Sequence, residues 1–506
     1  MALLEEDHAF EIADAVLAAS EADETEVTIN CVEDRFVRFG HEGPTQSADR
    51  ERYDLAVRVR FRDGDGFREA KASSGALDET SVLGALGRAE ILARVASPDA
   101  GAVPLGGPVE VEGSAPSRPT QDHSFKEKAE WIEAALRRCE QESLHGGGLA
   151  RTTVASRSIV NSAGRRVHGA TSRAEFALTC ADGGADAETV GGSASAVSVR
   201  CFVDQVDVEG VIEDAVTSAV RARGPADVEA APMDVLLEPQ AVAALMTFTT
   251  GMGFGARGFH EGSSFLTGRV GERLFSEGLS VSDDPTHPDL RGLRFDGEGT
   301  PRGCHPLVSS GTVHGPVTDA YWANQLGLEN TGHSPQQPST SGPSAAHLVV
   351  AEGELSRDEL LERLGDGLLV RQLHYVNVVE PRELVLTGMT RGGVFQVRNG
   401  VVGGAIGNLR FTQSLVDALG AIDGVGDRAV RVGSLMGGEL VAPALLIRGF
   451  QFTSKARSCI PWSHPPFRPA PRTPWRPSLA ARWTRPWREA PTPPTRASCA
   501  AQRSAS

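Results

Sequence analysis

Residues 235–298 constrain this chain more than any other stretch. An apolar, strand-like run, Val235-Leu236-Leu237, passes into a helix whose Pro239 suits the first helical turn, where a backbone N–H has no partner to lose. The segment Gly251-Met252-Gly253-Phe254-Gly255-Ala256-Arg257-Gly258 follows as a glycine-rich loop that lets backbone approach closely. Two acidic turns come next, Asp283-Asp284-Pro285 and Asp296-Gly297-Glu298. Strand, helix, glycine loop and acidic turn must be accommodated in that order.

The chain around this segment has 506 residues, too many for one ordinary core and enough for two or three domains. Its formal net charge of -16 argues against a binder of phosphate backbones, whose affinity comes from Lys and Arg, and no basic stripe occurs before residue 455. Direct nucleic-acid binding is therefore not expected. Cysteines at 31, 139, 180, 201, 304, 459 and 499 form no C-x-x-C pair, a pattern of reduced thiols in a cytoplasmic protein. The N-terminus has acids where a signal peptide needs positive charge, and no run approaches the roughly 20 apolar residues of a membrane span. Neither secretion nor membrane insertion is expected.

Periodicity gives an α+β reading in two domains. Residues 1–225 are expected as an N-terminal mixed α/β domain with antiparallel hairpins. A helix over 5–20 leads into short strands at 26–32 and 35–39 joined at Glu33-Asp34, then a strand at 55–61 before the turn Asp63-Gly64-Asp65-Gly66. Helices follow over 80–95 and 126–142, separated by a Pro/Gly-rich surface connection at 97–119. A second hairpin spans 152–179, a polar loop 183–195, a strand 196–202 and a helix 208–223 ended by Gly224-Pro225. Residues 232–455 are expected as a mainly β C-terminal domain, with a loop at 330–346, a helix at 356–363 capped by Ser356, and strands from 367 to 448 interrupted by a helix near 412–419.

Residues 456–506 differ in kind. They carry nine Arg, one acid and four of the six Trp, with frequent Pro and no apolar period, and cannot build a core. A frame shift in GC-rich coding DNA produces such an end; a basic, disordered partner-binding tail is the alternative.

A peptidase zinc site needs about three protein ligands and a nearby carboxylate. His41-Glu42 and His260-Glu261 lack a second His at helical spacing, and Cys304-His305 lies in a loop. His314, His333 and His374 stand singly. No catalytic residue and no metal ligand is assigned from these patterns.

The order of parts in residues 235–298 nevertheless resembles the TldD/PmbA family of metallopeptidase subunits and modulators of DNA gyrase. The pieces that carry the resemblance are Ser264-Phe265-Leu266-Thr267-Gly268-Arg269-Val270-Gly271-Glu272, Asp283-Asp284-Pro285, Phe295-Asp296-Gly297-Glu298-Gly299-Thr300-Pro301, Asn330-Thr331-Gly332-His333, Gly367-Leu368-Leu369-Val370 and Val397-Arg398-Asn399-Gly400. Catalytic members carry His-Glu-x-x-x-His on the helix after the apolar strand, and a late Cys. Here those positions read Glu238-Pro239-Gln240-Ala241-Val242-Ala243, and the late stretch, Arg431-Val432-Gly433-Ser434-Leu435-Met436-Gly437-Gly438, has no Cys. Losing every ligand together resembles the zinc-free TldE/PmbA-type companion.

The resemblance implies a heterodimer with a TldD-type zinc peptidase subunit, zinc on the partner and no cofactor on this chain. It also implies an unfolded, extended peptide as substrate, held by strand addition. Arg257 is the first candidate to line the peptide cavity, with His260, Glu261 and Ser264 beside it. The acidic turns are expected as turn caps, with a hard-cation cluster as the alternative. Two rivals remain: a metallopeptidase with a non-standard site drawing on His260, Glu261 and His305, and a non-proteolytic modulator of gyrase or of toxin–antitoxin proteins.

Overall fold

A computed structural model describes residues 3–182, 192–433 and 439–456, all within one compact unit. The expected tail, most of the 183–195 loop and the 434–438 part of the stretch where a late Cys was sought lie outside the described residues.

The first half opens with α1 (Glu6–Ala19) and three antiparallel strands, β1 (Glu24–Gly40), β2 (Gly43–Asp63) and β3 (Gly66–Ser74). Next come α2 (Glu79–Val95), α3 (Arg118–Asp122) and α4 (Phe125–Gln141). β4 (Leu144–Asn161), β5 (Arg166–Asp182), β6 (Ser193–Arg200) and α5 (Val208–Arg221) complete it. The strands form one six-stranded sheet in the order β3-β2-β1-β4-β5-β6. Local chemistry starts the helices: the Asp78 and Asp207 carboxylates cap α2 and α5, and Ser124 and Glu127 form a reciprocal capping box on α4.

One expectation fails here. Glu33-Asp34 does not join two short strands; β1 runs through it, paired on both sides. Two charges stay buried in a central strand because they find partners on other elements: Asp34 takes Nε of Arg151 at 2.6 Å, and Glu33 faces the Gln121 amide. Buried charge is tolerated when paired.

The second half begins with β7 (Pro232–Leu237), α6 (Pro239–Gly253), α7 (Ala256–His260), β8 (Val281–Asp283), β9 (His305–Ser309), β10 (Thr312–Val313), α8 (Ala320–Leu326) and β11 (His347–Val350). It continues with α9 (Arg357–Leu364), β12 (Gly367–Glu380), β13 (Val385–Arg398), β14 (Val401–Ala405), β15 (Leu409–Ser414), α10 (Leu415–Gly420), β16 (Ile422–Val425), β17 (Val430–Gly433), β18 (Glu439–Ala442) and β19 (Leu445–Lys455). One sheet runs β10-β9-β8-β11-β18-β17. The other runs β12-β7-β19-β15-β13-β14, and an added β12–β13 pairing closes five of its strands into a ring, which removes sheet edges. β7 lies inside this ring, and Val235, Leu236 and Leu237 are fully buried. The 330–346 segment holds no helix or strand, and Ser356 caps α9 in a capping box with Glu359.

The expected glycine loop is largely helical. α6 continues through Gly253 and α7 starts at Ala256. Its glycines serve packing: a Cβ on Gly253 would lie 2.2 Å from Cε1 of Phe265, and one on Gly255 2.6 Å from the Pro343 carbonyl oxygen. Among the described residues no helix is long and apolar enough to cross a membrane.

Candidate functional site

Glu238 is the N-cap of α6, and its side chain makes no capping bond. Its carboxylate meets Arg357 at 3.0 Å and Arg371 at 3.4 Å. Arg371, nearly buried, also pairs with Asp214 of α5. Five residues on, Ala243 is 2% exposed and presents only a methyl group. These positions do not fit zinc: two guanidiniums occupy the only carboxylate, and neither Pro239 nor Ala243 has a donor. Among the described residues no group of three or more His, Cys, Asp or Glu is placed to hold a metal ion.

The other histidines have local partners. His41 stacks on His145, His314 Nε2 lies 2.8 Å from Ser309 Oγ, and His374 stacks on Tyr375. His305 packs against His333, whose Nε2 lies 3.6 Å from Asp283. Arg302 also pairs with Asp283, and the cations around that carboxylate hold it well below the usual range against the opposing pull of burial. His305 thus packs on His333, and His260, Glu261 and His305 form no metal-holding group among the described residues. Asp296 accepts backbone N–H groups from Glu298, Thr300 and Ser334 at 2.9 Å, so this acidic turn is a cap.

Arg257, His260 and Glu261 are brought together on and just after α7. Arg257 Nε donates to Glu261 at 2.8 Å, one helical turn on, and a terminal nitrogen donates to the Thr340 carbonyl. The His260 ring lies 5.4 Å from that of Trp322. Ser264 is placed differently. It is buried, its hydroxyl donates to the Gly253 carbonyl, and the Leu266 N–H donates back to it at 3.0 Å, which makes it a turn residue.

Arg257 and Trp322 line a cavity of about 520 Å³, together with Tyr321, Asp319, Glu298 and the 337–340 segment, and Arg58 and Arg60 of β2 close it from the first half. Burial, reinforced by Glu298 and Asp296, raises Asp319 to about 6, although the Trp322 N–H it accepts at 2.8 Å opposes this. Aromatic surface, one exposed cation and loop backbone suit the holding of a polar chain. The 235–298 segment supplied only part of this wall. Trp322 went unnoticed, although it and Trp131 are the two tryptophans before residue 456, and the N-cap pattern Asp319-x-x-Trp322 was readable.

A long antiparallel sheet joined to a mainly β half, with a strand–helix opening at 232–253, defines an α+β protein. Residues 230–454 match the model of the PmbA/TldA metallopeptidase C-terminal domain. The chain is 24% identical over 342 residues to a metalloprotease of Methanothermobacter thermautotrophicus, covering 64% of this chain and 73% of that one. It is 28% identical over 109 residues to a metalloprotease TldD homolog of Haemophilus influenzae, 21% of this chain and 23% of that one. The crystal structure of TldE from Thermococcus kodakarensis superposes with a TM-score of 0.77 at 21% identity, over 89% of this chain and 99% of that one. A candidate modulator of a DNA gyrase from Thermotoga maritima gives 0.78 at 18% identity, over 88% and 100%. Through residues 230–454 the chain belongs to the TldD/PmbA family.

Proposed function

We propose that this chain is the zinc-free, TldE/PmbA-type subunit of a cytoplasmic metallopeptidase complex, and that it holds unfolded peptides for cleavage by a TldD-type zinc partner. The observation that carries the reading is the pairing of Glu238 with Arg357 and Arg371 at the position where catalytic members place their first zinc ligand. A guanidinium pair favours a fixed carboxylate and repels a divalent cation. The likeness to TldE supports the same reading. The chain's own contribution is binding: the cavity bordered by Arg257, Tyr321 and Trp322 offers stacking surface and backbone acceptors to an extended chain. A second reading, that the chain cleaves peptides itself, draws on the metalloprotease names of its relatives.

Metal analysis and peptide-cleavage assays on the purified full chain, alone and with a TldD-type subunit, separate the two. The subunit reading expects no stoichiometric zinc, no cleavage alone, co-purification with the partner, and cleavage by the pair. Stoichiometric zinc on the isolated chain, or cleavage without the partner, sinks it. Association with gyrase and no cleavage by the pair would favour the modulator role instead.

A further inference from the structure

A second cavity, of about 440 Å³, lies where one face of β4 and β5 meets the loops of the second half. Arg157, Arg173, Arg291, Arg302 and Arg431 line it, against one carboxylate, Asp296. Asp296 is already occupied by three backbone N–H groups, as described above. Arg173 pairs with Glu175 at 2.7 Å, Arg302 with Asp283, and Arg291 lies over the Phe202 ring. Arg431 donates to the Asp289 carbonyl at 2.9 Å.

Arg157 differs. Its Nε donates to the neutral Asn30 amide oxygen at 2.7 Å, and it forms no ion pair among the described residues. Burial pushes its pKa down, Asp296 opposes that, and Arg302 adds to it. An arginine keeps its proton regardless, so its surroundings are improved by bringing in an anion. Gly169 stands opposite Arg157 in the β4–β5 ladder, so the partner strand sets no side chain beside it.

We infer that this cavity is a carboxylate-binding subsite in which Arg157 holds an acidic group of a bound peptide. The guanidinium fork matches the two oxygens of a carboxylate, supplied by a peptide C-terminus or by an Asp or Glu side chain. The surrounding arginines favour either source and repel cationic segments. The inference rests on the reading of this chain as a peptide binder, not on its pairing with a partner.

Fluorescence anisotropy with the full chain and three labelled forms of one peptide tests it: a free C-terminus without acidic side chains, its C-terminal amide, and that amide with one internal Glu. At least one carboxylate-bearing form is expected to bind tenfold or more tighter than the neutral amide. The outcome also says which source fills the site. Arg157→Gln should abolish the preference with the melting temperature retained. Ala155→Glu, which sets a carboxylate two residues from Arg157 on the same strand face, should abolish it as well and serves if the first variant does not fold. Equal binding of all three peptides, or a preference that survives in a folded variant, overturns the inference. Co-purification with a TldD-type subunit is scored separately, so a chain that fails to pair yet prefers carboxylates sinks only the subunit reading.

Discussion

The carboxylate of Glu238 lies 3.4 Å from Nε of Arg371, a guanidinium with 8% of its side chain exposed. The contact ties the start of α6 to β12 and, through the pairing of Arg371 with Asp214, to α5 of the first half. Glu238→Gln should cost about 1–3 kcal/mol, since it leaves a nearly buried cation with one carboxylate fewer. Urea unfolding of both proteins measures this. An unchanged midpoint would mean that Asp214 alone satisfies Arg371.

Two buried bases each contribute to the pH response with a definite sign. Burial, with Lys128 nearby, lowers His123 to about 4 from 6.5, and burial lowers Lys128 to about 8 from 10.5. Within 4–6.5 for His123 and 8–10.5 for Lys128 the unfolded chain holds the proton that the folded one has released, so each base's own contribution rises with pH in its window. The buried carboxyls of Glu26, raised to about 7, and Asp319, raised to about 6, act in the opposite direction between about 4 and 7. On acidification the His123 contribution is lost from 6.5 down to 4, by up to about 3 kcal/mol. Unfolding midpoints across pH 4–7 should show the stability of the parent relative to His123→Gln rising with pH; a difference that does not change with pH would clear His123 of the effect.

Ser356→Ala removes one half of the reciprocal cap on α9 and should cost about 1 kcal/mol. Thermal melts of the variant measure it. The loss should stay small, because Leu360, Leu361 and Leu364 keep the helix docked.

Gly297→Ala should destabilise by about 1–3 kcal/mol. A Cβ there would lie 2.3 Å from the Pro335 carbonyl carbon and 2.5 Å from the Gln336 nitrogen, backbone atoms that cannot rotate away. Calorimetry that finds this variant as stable as the parent would place the 335–336 backbone elsewhere.

Trp322→Ala should weaken the binding of an extended peptide to the full chain by about 1–2 kcal/mol, roughly tenfold, with the fold intact. Isothermal titration reads this directly. Ser264→Ala should leave affinity alone and lower stability, because its hydroxyl serves the turn.

Much of the fold was legible because its signals are local. Ser356 and Glu359 sit three residues apart, Pro239 stands at the first helical position, and Asp63 to Gly66 spell a hairpin turn. The misreadings fall where distant partners decide. Glu33 and Asp34 looked like a break because two charges rarely enter a strand, and partners more than 80 residues away, Gln121 and Arg151, help to keep them there. Gly253 and Gly255 looked like a loop because their packing partners, Phe265 and Pro343, lie 12 and 88 residues away.

By itself the sequence determined the order of elements, the caps that start the helices, and which residue types stand at 238 and 243. Those are properties of neighbours along the chain, set by backbone propensity and by side chains that reach only a few residues. The tertiary structure decided what surrounds them: that Arg371 meets Glu238, that Trp322 faces His260, and that Arg157 looks into a cavity rimmed by arginines from both halves. Burial and electrostatic pairing act through space, and folding brings together charges more than 100 residues apart.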